Sequence, residues 1–82
     1  MARARARVPR SLDGLTRSGW ERVIREAALG AEDTRIAEMY LLDAVAQVDI
    51  GAELDMDRST VSKRLPRIVD RVERTAKKLG II

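Results

Sequence analysis

The sequence predicts an all-α protein, a small domain of four helices, and three observations carry that expectation. Apolar residues make up 45% of the 82-residue chain, yet Trp20 and Tyr40 are the only aromatic ones. The core must therefore come from Ala, Leu, Ile, Val and Met, side chains suited to packing between helices. Apolar positions recur at steps of three and four, the helical period. Residues that stop or cap helices, among them Gly30, Asp57 and Gly80, divide these stretches.

Residues 1–17 are expected to form a basic, flexible N-terminal arm, because MARARARVPR alternates Ala with Arg and has no apolar period to fold against. Two readings of Arg3, Arg5, Arg7 and Arg10 are open: a solvated tail, or an arm lying along phosphates or in a minor groove. The folded domain is expected over residues 18–82. Its first helix should span about 19–29, since Ser18 and Glu21 have capping-box spacing and Gly30 follows where a helix would stop. Trp20, Val23, Ile24, Ala27 and Ala28 then make one apolar stripe, with Trp20 as a core anchor. The second helix opens with Glu32 and Asp33, acids favoured by the N-terminal dipole. It turns Ile36, Met39, Tyr40 and Leu42 inward and should end near Asp43 or Ala44.

A short third helix is expected over residues 47–54, dependent on its neighbours for stability. Asp55 follows at a turn position that usually takes glycine; Asp tolerates a left-handed backbone better than most residues. Asp57 can cap a long fourth helix that begins at Arg58. Its stripe runs Val61, Leu65, Ile68, Val72, Ala76, Leu79 and stops at Gly80. Pro66 lies inside it and should kink it or break it in two. The later part of the stripe has two potential covers, the first helix or a second copy in a homodimer. The apolar end, Leu79, Ile81 and Ile82, should dock rather than trail free.

Residues 47–65, QVDIGAELDMDRSTVSKRL, have the spacing of a helix-turn-helix. Ile50 and Leu54 face inward one turn apart, Gly51 is small enough to let a second helix approach, Met56 plugs the turn, and Val61 and Leu65 anchor the next helix. Arg58, Ser59, Thr60, Ser62 and Lys63 are left pointing outward, the side a recognition helix shows to a major groove. Double-stranded DNA is the partner this implies.

The charge distribution agrees. The net charge of +3 hides blocks: residues 1–30 carry seven Arg against three acids, residues 31–57 carry Arg35 against eight, and residues 58–82 carry eight bases against two. Both basic ends suit a polyanion, with the acidic middle turned away. On the fourth helix Lys63, Arg67, Arg71, Arg74 and Lys78 form a ridge that either contacts phosphates, with Arg67 and Arg71 the nearest candidates, or is a solvated face. The chain has no Cys and no His, so thiolate metal sites and His-based catalysis are excluded. No cofactor is implied, and Asp55 and Asp57 flank a turn where capping accounts for them. No apolar run approaches the roughly 20 residues of a membrane span, and no apolar signal core follows the basic N-terminus. A cytoplasmic location is the expectation.

From residue 32 to 79 the chain resembles region 4 of bacterial sigma-70-type factors and the related small phage regulators of the ArpU and RinA kind. The matching residues are Gln47, Asp49, Ile50, Gly51 and Leu54, against Q-x-E-I-A-x-x-L, and then residues 58–65, against S-x-x-T-V-x-x-R-L. The resemblance implies transcription regulation, with base contacts from Arg58, Ser59, Ser62 and Lys63 and backbone contacts from Thr60 and Arg64. The sequence departs from the pattern at Ala44 and Asp55, which replace glycines, at Ala46, which replaces a Ser or Thr cap, and at Pro66. The alternative reading is a protein-interaction module, an anti-repressor or polymerase-binding adaptor, acting through the acidic helix over residues 32–43.

Overall fold

The computed structural model describes Leu12 and residues 14–82. These residues form four helices and no strand: α1 (Arg17–Glu26), α2 (Ala31–Ala37) continued by a π-helical turn (Glu38–Leu42), α3 (Gln47–Leu54) and α4 (Arg58–Lys78). The arm arginines at positions 3, 5, 7 and 10 lie outside the described residues.

Helix α1 begins earlier and ends sooner than its sequence pattern suggests. Thr16, not Ser18, is the N-cap: its side chain accepts a hydrogen bond from the Gly19 amide at 3.1 Å. The helix stops at Glu26 because Ala28 already has φ of 52°, which turns it out of the stripe and leaves it exposed. Leu12 is fully buried in the central cluster with Val23, Ile24, Ile36, Ile50, Leu65 and others. The core thus takes in a residue that composition alone assigns to the arm, and Arg17, from the same stretch, opens α1. Trp20 packs half-buried against this cluster, as its phase in the stripe requires.

Helix α2 holds Glu32 and Asp33 in its first turn and buries Ile36 and Ala37. Its last turn widens, the Asp43 amide bonding to the Glu38 carbonyl at 3.2 Å, a five-residue step. Ala44 then takes φ of 54° and the Val45 amide closes on the Met39 carbonyl at 2.9 Å. Met39, Tyr40 and Leu42 pack half-buried on the core.

The longest element, α4, is one unbroken α-helix through Pro66. Its stripe is covered by the chain itself: Val61, Leu65, Val72 and Ala76 are fully buried, Ile68 nearly so. The helix ends in a Schellman arrangement: Gly80 has φ of 74°, its amide bonds to the Lys77 carbonyl at 3.1 Å, and the Ile81 amide bonds to Ala76 at 3.0 Å. Ile81 packs against the core while Ile82 remains exposed. Among the described residues the buried set is wholly apolar, so all charged chemistry lies at the surface, and no helix is long and apolar enough to cross a membrane.

Candidate nucleic-acid interface

Helices α3 and α4 pack against each other, and the turn between them explains why. Asp55 adopts the left-handed backbone, φ 57° and ψ 49°, so the chain reverses and the Met56 amide bonds to the Gly51 carbonyl at 2.8 Å. The backbone then lies so close to Gly51 that a Cβ there would stand 2.5 Å from the Met56 carbonyl oxygen. Glycine is needed here for the approach of the turn's own backbone rather than of a second helix. Asp57 occupies the N-cap position of α4, but its side chain makes no capping hydrogen bond. Its carbonyl, instead of its carboxylate, receives the first-turn amides of Thr60 and Val61, at 3.0 and 3.2 Å.

With Val61 and Leu65 buried on one side, the other side of the first two turns of α4 faces outward. Arg58, Ser59 and Lys63 are exposed, and Thr60 and Ser62 are half-buried. Among the described residues, Arg58, Lys63 and Arg67 make no ion pair or hydrogen bond. Ser62 instead donates to the Gln47 side-chain oxygen at 2.5 Å, which ties the first residue of α3 to the second turn of α4.

No family model, curated protein or solved structure matches the chain. The interface therefore stands on its own geometry, and two further arginines of the sequence-derived set sit differently from Arg58. Arg64 donates to Glu32 at 2.7 Å and to Asp33 at 3.1 Å, clasping α4 to the first turn of α2. These bonds raise its guanidinium pKa above the ordinary value, the Glu32 hydrogen bond contributing most. All three side chains are a third to half exposed, so the clasp orients α4 more than it stabilises the fold. Arg71 donates through Nε to the Ala27 carbonyl at 3.0 Å, occupying a carbonyl at the end of α1.

The sequence gives no sign of these ties, since periodicity places Arg71 on the outward ridge and the resemblance assigns Arg64 to the DNA backbone. Arg17 is the other missed strut. It bonds Asp43 at 3.0 Å and Glu21 at 3.5 Å, joining the start of α1 to the end of α2. The only signal for it is charge complementarity between distant segments, which does not select one partner from several.

Proposed function

We propose that the protein binds double-stranded DNA sequence-specifically through the α3–α4 helix-turn-helix and serves as a transcription regulator. The supporting observation is the presentation of Arg58, Ser59 and Lys63: exposed and, among the described residues, uncommitted, on a helix whose opposite face is buried and whose start is fixed by the Gly51 turn and the Gln47–Ser62 bond. Arg58 is placed to grip a guanine edge, a bidentate pairing worth about 1–3 kcal/mol of discrimination. Ser59, Ser62 and Lys63 complete the base-reading set, Thr60 and Arg67 take phosphates, and Arg64 and Arg71 hold the reading helix at its angle. The likeness to sigma-70 region 4 and to the ArpU and RinA regulators belongs to the same proposal. A second copy on a two-fold operator would add contacts, but the α4 stripe from Val61 to Ala76 is buried within one chain, so such pairing does not run through that part of it.

The rival adaptor reading has less support. Of the acids it needs, Glu32 and Asp33 are held by Arg64, and Asp43 by Arg17. Selection of bound sequences from random duplexes, with wild type and Arg58→Ala in parallel, tests the proposal. Wild type should enrich a motif, Arg58→Ala should relax it at one base pair, and affinity should fall steeply with salt. No enrichment with wild type defeats the proposal.

A further inference from the structure

Two surfaces of this chain complement each other but cannot meet within one molecule. The first is an open groove of about 820 Å³ between the α1–α2 connection and the C-terminal half of α4. The half-buried Leu29 and Leu79 form its exposed apolar part, and Arg67, Arg71, Arg74 and Lys78 line it with positive charge. Glu26, Asp33 and Asp70 also border it. Asp33 is neutralised by Arg64 and Asp70 by Arg74 at 3.1 Å, so the uncommitted charge is mainly basic. The Arg74–Asp70 pair is itself highly exposed, and such pairs exchange partners at little cost.

The second surface is the outer face of α3. Val48 is 56% exposed, the most exposed large apolar residue described, and it lies beside Asp49, Ala52 and Glu53, all exposed. Positions 48, 49, 52 and 53 fall within one side of a helix, so an apolar knob, Val48, stands there with two carboxylates, Asp49 and Glu53, along one edge of it. The groove offers the inverse pattern, an apolar part lined by bases. Helix α3 braces the first turns of α4, whereas the groove begins at Arg67, about 14 Å further along that helix at 1.5 Å per residue.

We infer that the basic groove of one copy receives the α3 face of a second copy, giving head-to-tail self-association. Each contact uses one groove and one knob and leaves the complementary pair free, so the arrangement is heterologous and extends beyond two copies, as a chain or a closed ring. The contact is small and largely electrostatic, hence weak and salt-sensitive. It gains strength when copies are held side by side on a common scaffold. The inference does not require DNA binding, although Arg67 lies at the edge of both surfaces.

Sedimentation equilibrium of the full chain tests it with two variants, Asp49→Lys/Glu53→Lys and Arg74→Glu/Lys78→Glu, each checked for helicity by circular dichroism. Wild type should associate in low salt, growing with concentration beyond a dimer, and dissociate in high salt. Each variant alone should associate at least about tenfold more weakly, because like charges would meet at the contact. Mixing the two variants should restore association, since each retains the half that the other has lost. A wild type that is monomeric in low salt, variants that associate as well as wild type, or a mixture that stays monomeric would each overturn the inference. A closed dimer that mixing does not rescue would do so too, pointing to a symmetric contact.

Discussion

The start of α4, as far as Lys63, and the rest of that helix carry the same residue types, yet, Arg67 apart, use them differently. In the first region Arg58 and Lys63 are exposed and bonded to nothing described, while in the second Arg64 and Arg71 are tied to Glu32, Asp33 and the Ala27 carbonyl. The difference lies in the neighbours. Beyond residue 63 the helix runs beside α2 and the end of α1, which supply carboxylates and orphan carbonyls; before it, the outward face of the helix is left open. An arginine's role is thus set by what packs within reach of its guanidinium, since its own charge is constant. On this helix the bound arginines aim the unbound ones.

The largest effect should come from removing the scaffold on which both regions rest. Leu65 is fully buried, and Leu65→Ala should cost about 2–5 kcal/mol, read by chemical denaturation, with any duplex binding lost alongside. A cost below about 1 kcal/mol would mean that α4 is not the spine of the core. Next comes Gly51→Ala. Alanine ordinarily favours a helix over glycine by roughly 0.5–1 kcal/mol, but here the added Cβ would meet the Met56 carbonyl at 2.5 Å. Net destabilisation of roughly 1–3 kcal/mol is expected. A stabilised variant would show that the turn can retreat, and that the start of α4 is less firmly fixed than the rest.

Much of this architecture is legible in the sequence, and what is not has a common cause. The bounds of α3 and the start of α4 follow from local rules, namely apolar phase, the turn at Asp55 and the cap position of Asp57. Two left-handed positions are marked as well, Asp55 by its place in the turn and Ala44 through the family pattern, and both have positive φ, whereas Ala28, with φ of 52°, reads as part of the α1 stripe. What local rules miss are choices made between segments. Ser18 is the better cap by residue type, yet Thr16 serves, and burial of Leu12 and Leu15 against the core accompanies that earlier start. The widened turn at Glu38–Leu42 and the partners of Arg17, Arg64 and Arg71 likewise depend on which helix ends meet. In the candidate interface, the outward set was readable from period alone, but the commitment of Ser62 to Gln47 was not.

Ala44 and Asp55 offer a smaller effect of opposite sign. Ala44→Gly should stabilise by about 0.5–1 kcal/mol by relieving a left-handed alanine, and Asp55→Gly by less, since Asp accepts that backbone more readily. Thermal denaturation separates the two. Equal gains would mean that the turn into α4 is as strained as the turn out of α2.

The smallest effects on stability are the most discriminating for the two regions of α4. Arg64→Ala should lower the melting temperature slightly, and the deficit should shrink in high salt, where exposed pairs are screened. Because hydrogen bonds to Glu32 and Asp33 raise the Arg64 pKa, its contribution is fully present below the ordinary guanidinium value and is lost only as pH rises through the elevated one. The deficit should therefore stay constant from neutral into moderately alkaline solution. Arg58→Ala removes a side chain with no described partner and should leave the melting temperature unchanged while weakening duplex recognition. Should Arg58→Ala destabilise the fold as much as Arg64→Ala does, the two guanidiniums would be doing the same work. The division of α4 into a reading end and a bracing end would then fail.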